Sequence, residues 1–100
     1  MIALPAAFTL QTGKDHWEVL LRARAIETET YVCAAGQTGF HMQGGEPRAT
    51  WGHSMVIDPW GHVTARASDG VGYVAARIDP ARVANVRAMT PVARHKVKLT

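Results

Sequence analysis

The chain has 100 residues, of which 47% are hydrophobic and 19% charged, with 9 Gly and 5 Pro. This is too short for a two-domain enzyme, too apolar for a disordered chain and too varied for a low-complexity one. Eight acidic side chains are balanced by eight basic ones as far as residue 93, so the net charge of +3 belongs to Arg94, Lys96 and Lys98 in the C-terminal tail. A nucleic-acid surface would need Lys and Arg clustered over a fold with stacking aromatics, and the charge pattern excludes it.

No apolar run approaches the roughly 20 residues that cross a bilayer. Met1–Ala7 is apolar but has no basic leader, so it does not read as a signal peptide. A single cysteine cannot form an internal disulfide, which leaves the cytoplasm as the default compartment. A closed domain of this size exposes roughly 5,600 Å².

Met1–Ala7 reads as a short buried strand and Phe8–Gly13 as a loop. A helix is expected from Lys14 to about Thr28. At 100° per residue Trp17, Leu20, Leu21 and Arg24 share one side, while Val19, Ala23 and Ile26 form a second apolar strip. Only the narrow sector of Glu18, Arg22 and Ala25 reads as wet, so the helix should be buried on more than one side. Glu18 and Arg22 are spaced i,i+4, and Arg24 and Glu27 i,i+3. Both pairs suit ion pairs, the second partly buried beside the leucines.

Tyr31–Ala35 is a continuous apolar run, the pattern of a strand covered on both faces. Gly36–Trp51 reads as a long Gly-rich loop, and His53–Ile57 as the next strand. Asp58-Pro59-Trp60-Gly61 is a turn, and His62–Ser68 alternates with Val63, Ala65 and Ala67 inward. After the turn at Ser68-Asp69-Gly70, Gly72–Ile78 is expected as the third strand of a meander. Asp79 then caps a short helix that opens on Pro80 and stops at Pro91. The fold class is α/β: strand, long helix, strand, long loop, three-stranded meander, short helix. The first strand and the long helix both lack partners in this order, so the chain reads as the back half of a larger unit.

The stretches Leu4–Gly13 (L-P-A-A-F-T-x-x-T-G), His16–Glu27, Tyr31–Gly39 and Gly52–Val63 (G-H-S-M-V-I-D-P-W-G-H-V), closed by Ile78-Asp79, occur in an order that resembles the C-terminal part of the nitrilase superfamily, the carbon–nitrogen hydrolases. The resemblance covers essentially residues 1–100 and is nearest the amidase branch acting on deaminated glutathione, with the omega-amidases next. It implies an αββα sandwich that pairs through helices into dimers. It also implies hydrolysis of a small ω-amide to acid and ammonia by a Glu-Lys-Cys set, without a metal or cofactor. In the family all three catalytic residues lie upstream of the L-P-A-A-F-T strand, so no residue here inherits a catalytic role. The chain is therefore expected to be a partial carbon–nitrogen hydrolase domain, inactive alone. The alternative is a non-catalytic fragment or split-enzyme subunit that associates with a nitrilase-like partner through the long helix.

The resemblance points to Phe8, Thr9, Gln37 and Thr38, at the strand ends, as lining the substrate pocket once the upstream part is supplied. It also points to Trp17, Leu20, Leu21 and Arg24 as dimer contacts of the Lys14–Thr28 helix. Cys33 lies mid-strand between Val32 and Ala34, where a thiol is a small buried hydrophobe rather than a nucleophile. His16, His41, His53, His62 and His95 lack the close ligand spacing of a metal site. Glu18 and Glu27 each have an Arg at salt-bridge spacing and read as structural carboxylates. The glycines of Gly36–Gly45 lack the Gly-Lys-Ser/Thr and following helix of a phosphate loop.

Overall fold

Helix α1, Leu10–Thr28, lies across one face of a four-stranded sheet ordered β1-β2-β5-β6 in a computed structural model that describes residues 1–99. The strands are β1 Ile2–Ala6, β2 Val32–Gly36, β5 Met55–Ile57 and β6 Val63–Arg66, and a separate hairpin joins β3 Thr38–Gln43 to β4 Glu46–Trp51. β1 and β2 run parallel, linked through α1, and the remaining pairs are antiparallel. Helix α2, Pro80–Met89, follows after a long stretch without regular secondary structure, with Asp79 Oδ1 accepting from the Ala81 N–H as its cap.

The core sits between α1 and the sheet. Strand alternation sends Ile2 and Leu4 of β1, Val32 and Ala34 of β2, and Met55 and Ile57 of β5 toward the helix. From α1 the stripe Gly13, Trp17, Leu21 and Ala25 answers them. Successive members are four residues apart, so the stripe drifts slowly around the helix and keeps to the sheet. Ala25 is therefore fully buried and not wet, and Trp17 and Leu21 close this chain's own core. Leu20 and Arg24, grouped with them in sequence, face outward. The Arg24–Glu27 pair, 2.5 Å apart, is correspondingly solvent-exposed rather than partly buried.

Three further boundaries differ from expectation. The helix begins at Leu10, four residues before Lys14, because extended Thr9 serves as N-cap and its carbonyl accepts the Gly13 N–H at 2.7 Å. The expected long loop is the β3–β4 hairpin, closed by Gly44 and Gly45, both with positive φ. Two such residues make the two-residue turn whose twist suits a hairpin. Gly72–Ile78 does not become a third meander strand: it forms no ladder with the sheet. Alternating burial reports which side faces the protein, not whether the backbone is paired.

The opposite face of the sheet presents Ala3, Pro5, Cys33, Ala35, Val56 and Ala65. β2 is thus covered by helix on one face only; Cys33 is half-buried and Ala35 exposed. The chain exposes 7036 Å², well above the roughly 5,600 Å² of a closed domain this long. Its radius of gyration, 16.0 Å, likewise exceeds the ≈ 13 Å of a compact 100-residue domain.

Candidate functional site

The parallel strands β1 and β2 end side by side, and open α/β sheets meet their ligands beyond such carboxyl ends. The pairing continues one step past the strands, where the Gln37 N–H donates to the Ala6 carbonyl at 2.9 Å. A cavity of about 400 Å³ lies here, lined by Pro5, Ala6, Ala7, Ala35, Gly36 and Gln37.

The floor of this region is held by the segment after β4. The Gly36 N–H donates to Ser54 Oγ at 3.0 Å, and a Cβ on Gly36 would stand 2.4 Å from the Gly52 carbonyl oxygen. Glycine at position 36 is therefore a requirement of close backbone approach. Gly52 has φ 69°, and its missing Cβ leaves room for Thr38. The next residue, His53, lies flat on Trp51 with ring centres 4.0 Å apart. One imidazole nitrogen of His53 meets the Trp51 carbonyl and the other lies 3.1 Å from Asp69 Oδ1. The His53 carbonyl in turn accepts from the Trp17 indole at 2.8 Å, tying the segment to the core of α1.

Of the residues expected to line a pocket, Gln37 borders the cavity and is exposed, while Thr38 stands behind it against Gly52. Phe8 turns inward and meets Trp17 edge-to-face with centroids 5.0 Å apart. Its carbonyl accepts the Trp51 N–H at 2.9 Å. Thr9 is exposed at the head of α1, with its hydroxyl 3.1 Å from that of Thr12. Sequence reasoning missed Gly52, His53 and Ser54 as organisers of this region. The usable signal was the pair of glycines, Gly36 directly after the run Tyr31–Ala35 and Gly52 directly before His53–Ile57.

Among the described residues, no group of three or more His, Cys, Asp or Glu side chains could hold a metal ion. Cys33 sits mid-strand with Sγ 3.4 Å from Met1 Sδ, and among the described residues its thiol has no hydrogen bond to a base. Away from the cavity, the Asp58 turn carries a clear electrostatic perturbation. Burial raises the Asp58 carboxyl pKa, but the His62 and Trp60 N–H groups, then Arg82, outweigh it and hold the carboxyl below its usual value.

Residues 2–88 match the carbon-nitrogen hydrolase family. The chain belongs to that family. It is 53% identical over 96 residues to the deaminated glutathione amidase of Bos taurus, covering 96% of this chain and 28% of that protein. Its fold is similar to the crystal structure of the Caenorhabditis elegans NitFhit protein, with a TM-score of 0.85 and 51% identity over 94% of this chain and 23% of the other. It also resembles a Saccharomyces cerevisiae member of branch 10 of the nitrilase superfamily, with a TM-score of 0.78 and 30% identity over 91% of this chain and 33% of that one. As a member of that family, the chain spans about a quarter to a third of these relatives' length. No helix among the described residues is long and apolar enough to cross a membrane.

Proposed function

We propose that these residues form part of an amidase that hydrolyses the C–N bond of a small ω-amide, water adding to give the acid and releasing ammonia. The cavity at the ends of parallel β1 and β2 carries this reading, in a family member half identical to a deaminated glutathione amidase. Gln37 would present its amide to substrate, and the Gly36–Gly52–Ser54 contacts would fix the wall from which it projects. The 100 residues alone would not turn over substrate, because their one thiol, Cys33, lies mid-strand without a base. The cytoplasm, where a single thiol stays reduced, is the proposed compartment.

The same reading includes a homo-oligomer through α1. Trp17 and Leu21 are used inside the chain, so the contact would fall on the outward strip of Val19, Ala23 and Ile26, with Leu20 and Arg24 at its flank. A second reading, a non-catalytic or split-enzyme piece that docks on a nitrilase-like partner, draws on the uncovered apolar face of the sheet.

An ammonia-release assay with short ω-amides tests the first reading. The 100-residue chain should release none, whereas a protein that joins it to a Glu-Lys-Cys-bearing domain should. In that protein Gln37→Leu should raise KM more than it lowers kcat. Ammonia release by the 100-residue chain, abolished in Cys33→Ala, would overturn it.

A further inference from the structure

His53 is a titratable side chain packed into the structure, and its surroundings decide how many protons it carries. It follows Gly52, and the two residues take the left-handed conformation in succession, at φ 69° and 56°. That conformation costs energy in a residue with a Cβ and persists where surrounding contacts hold it. Here three contacts hold the ring. Its face lies on the Trp51 indole with centres 4.0 Å apart and planes 19° from parallel. Nδ1 meets the Trp51 carbonyl oxygen, and Nε2 stands 3.1 Å from Asp69 Oδ1.

A carbonyl oxygen and an ionised carboxylate both accept hydrogen bonds, and neither donates. A neutral imidazole donates from one nitrogen only, whereas imidazolium donates from both. An indole face also attracts a cation. All three contacts therefore favour the charged ring. Asp69 lies in the bend at 69–71, two residues beyond Ala67, whose N–H donates to the Ser54 carbonyl at 2.8 Å. Val71, at the end of the bend, is fully exposed, so side-chain packing does not hold this bend in place.

We infer that the folded chain carries His53 as an imidazolium, and that its second ring proton clasps the bend at 69–71 onto the Gly52–Ser54 segment. When that proton leaves to water, one of the two bonds must go. The Asp69 side chain is 92% exposed, so water can serve its carboxylate in place of the ring. Nδ1 therefore keeps its proton for the Trp51 carbonyl, and Nε2 releases Asp69. Imidazole side chains make this exchange between about pH 5 and 8, so the clasp closes on the acid side and opens on the alkaline side.

The charged groups on the neighbouring elements do not replace Asp69. Glu18 of α1 pairs with Arg66 of β6, and Asp15 accepts from Gln11. Lys14 and His16 of α1 are exposed. Strand alternation puts His41 and Arg48 on the other face of the hairpin from Trp51. β5 has no titratable side chain, and β2 has only Cys33, which lies against Met1. The inference does not depend on the amidase reading.

Hydrogen exchange of the 100-residue chain and of Asp69→Asn, compared at about pH 5 and about pH 8, tests it. On the acid side residues 68–71 should exchange about threefold or more faster in Asp69→Asn, relative to intrinsic rates, the scale of a partly exposed ion pair. On the alkaline side the two chains should exchange alike. Nitrogen-15 NMR of the His53 ring should show protons on both nitrogens in acid and on Nδ1 alone in alkali. Equal exchange of the two chains in acid, a difference undiminished in alkali, or a neutral ring protonated at Nε2 would each overturn it. Because Asp69 is so exposed, its substitution should leave the fold intact.

Discussion

The two faces of the four-stranded sheet are built from similar side chains and meet opposite fates. Toward α1, Val32, Ala34, Met55 and Ile57 are buried beneath Trp17, Leu21 and Ala25. On the other side Ala3, Pro5 and Ala35 are exposed, and Cys33, Val56 and Ala65 only half-covered. One face is finished by the chain itself. The other is a surface of small apolar side chains, the kind that packs against a second layer. In this chain, which matches the carbon-nitrogen hydrolase family over residues 2–88, that contrast separates the sheet face the 100 residues bury from the face they leave open.

Substitutions sharpen the contrast in order of size. Trp17→Ala removes the largest fully buried side chain, along with its hydrogen bond to the His53 carbonyl, and should cost about 3–5 kcal/mol in urea unfolding. A loss below about 1 kcal/mol would mean that the covered face is not packed as described. Asp58→Asn comes next. It removes a charge that accepts from the Trp60 and His62 N–H groups and Arg82, and should cost roughly 1.5–3 kcal/mol at neutral pH. Because the folded-state pKa of Asp58 is depressed, its contribution is present above the unfolded aspartate value of about 3.9 and is lost as pH falls through the lower folded value. The gap between wild type and Asp58→Asn should therefore close in acid, and a gap independent of pH would refute that origin.

Gly13→Ala should act against helix propensity. Alanine normally gains about 1 kcal/mol over glycine in a helix interior. Here the new methyl would stand 2.2 Å from Trp51 Cβ, so the change should destabilise by roughly 1–3 kcal/mol. A raised melting temperature would show that α1 does not approach the hairpin this closely. The smallest effect belongs to the open face, where Ala35→Ser should alter stability of the chain by no more than about 0.5 kcal/mol.

Much of this contrast was legible in the sequence. The order of strands and helices, the long α1 and the Asp58–Gly61 turn follow from apolar runs and turn residues, and the ordered motifs pointed to the family. What escaped were features set by tertiary contact. Ala25 reads as wet because its neighbours on the helical wheel, Glu18 and Arg22, are charged, yet the drifting Gly13–Trp17–Leu21 stripe carries it into the core. The hairpin escaped because Thr38–Gln43 and Glu46–Trp51 mix polar and apolar side chains, most of them exposed, leaving only Gly44-Gly45 as a signal. Gly72–Ile78 alternates like a strand but pairs with none of the described strands. At the site, Gln37 follows from its place after an apolar run. Phe8, by contrast, was pulled inward by an aromatic contact with Trp17 that no local pattern encodes.

The most direct test is the association state of the 100-residue chain, read by sedimentation together with binding of a hydrophobic dye. If one sheet face is unfinished, the chain should self-associate or bind the dye strongly, and a covering protein layer should suppress both. A monomer that binds no dye and melts in one sharp cooperative transition would contradict the open face.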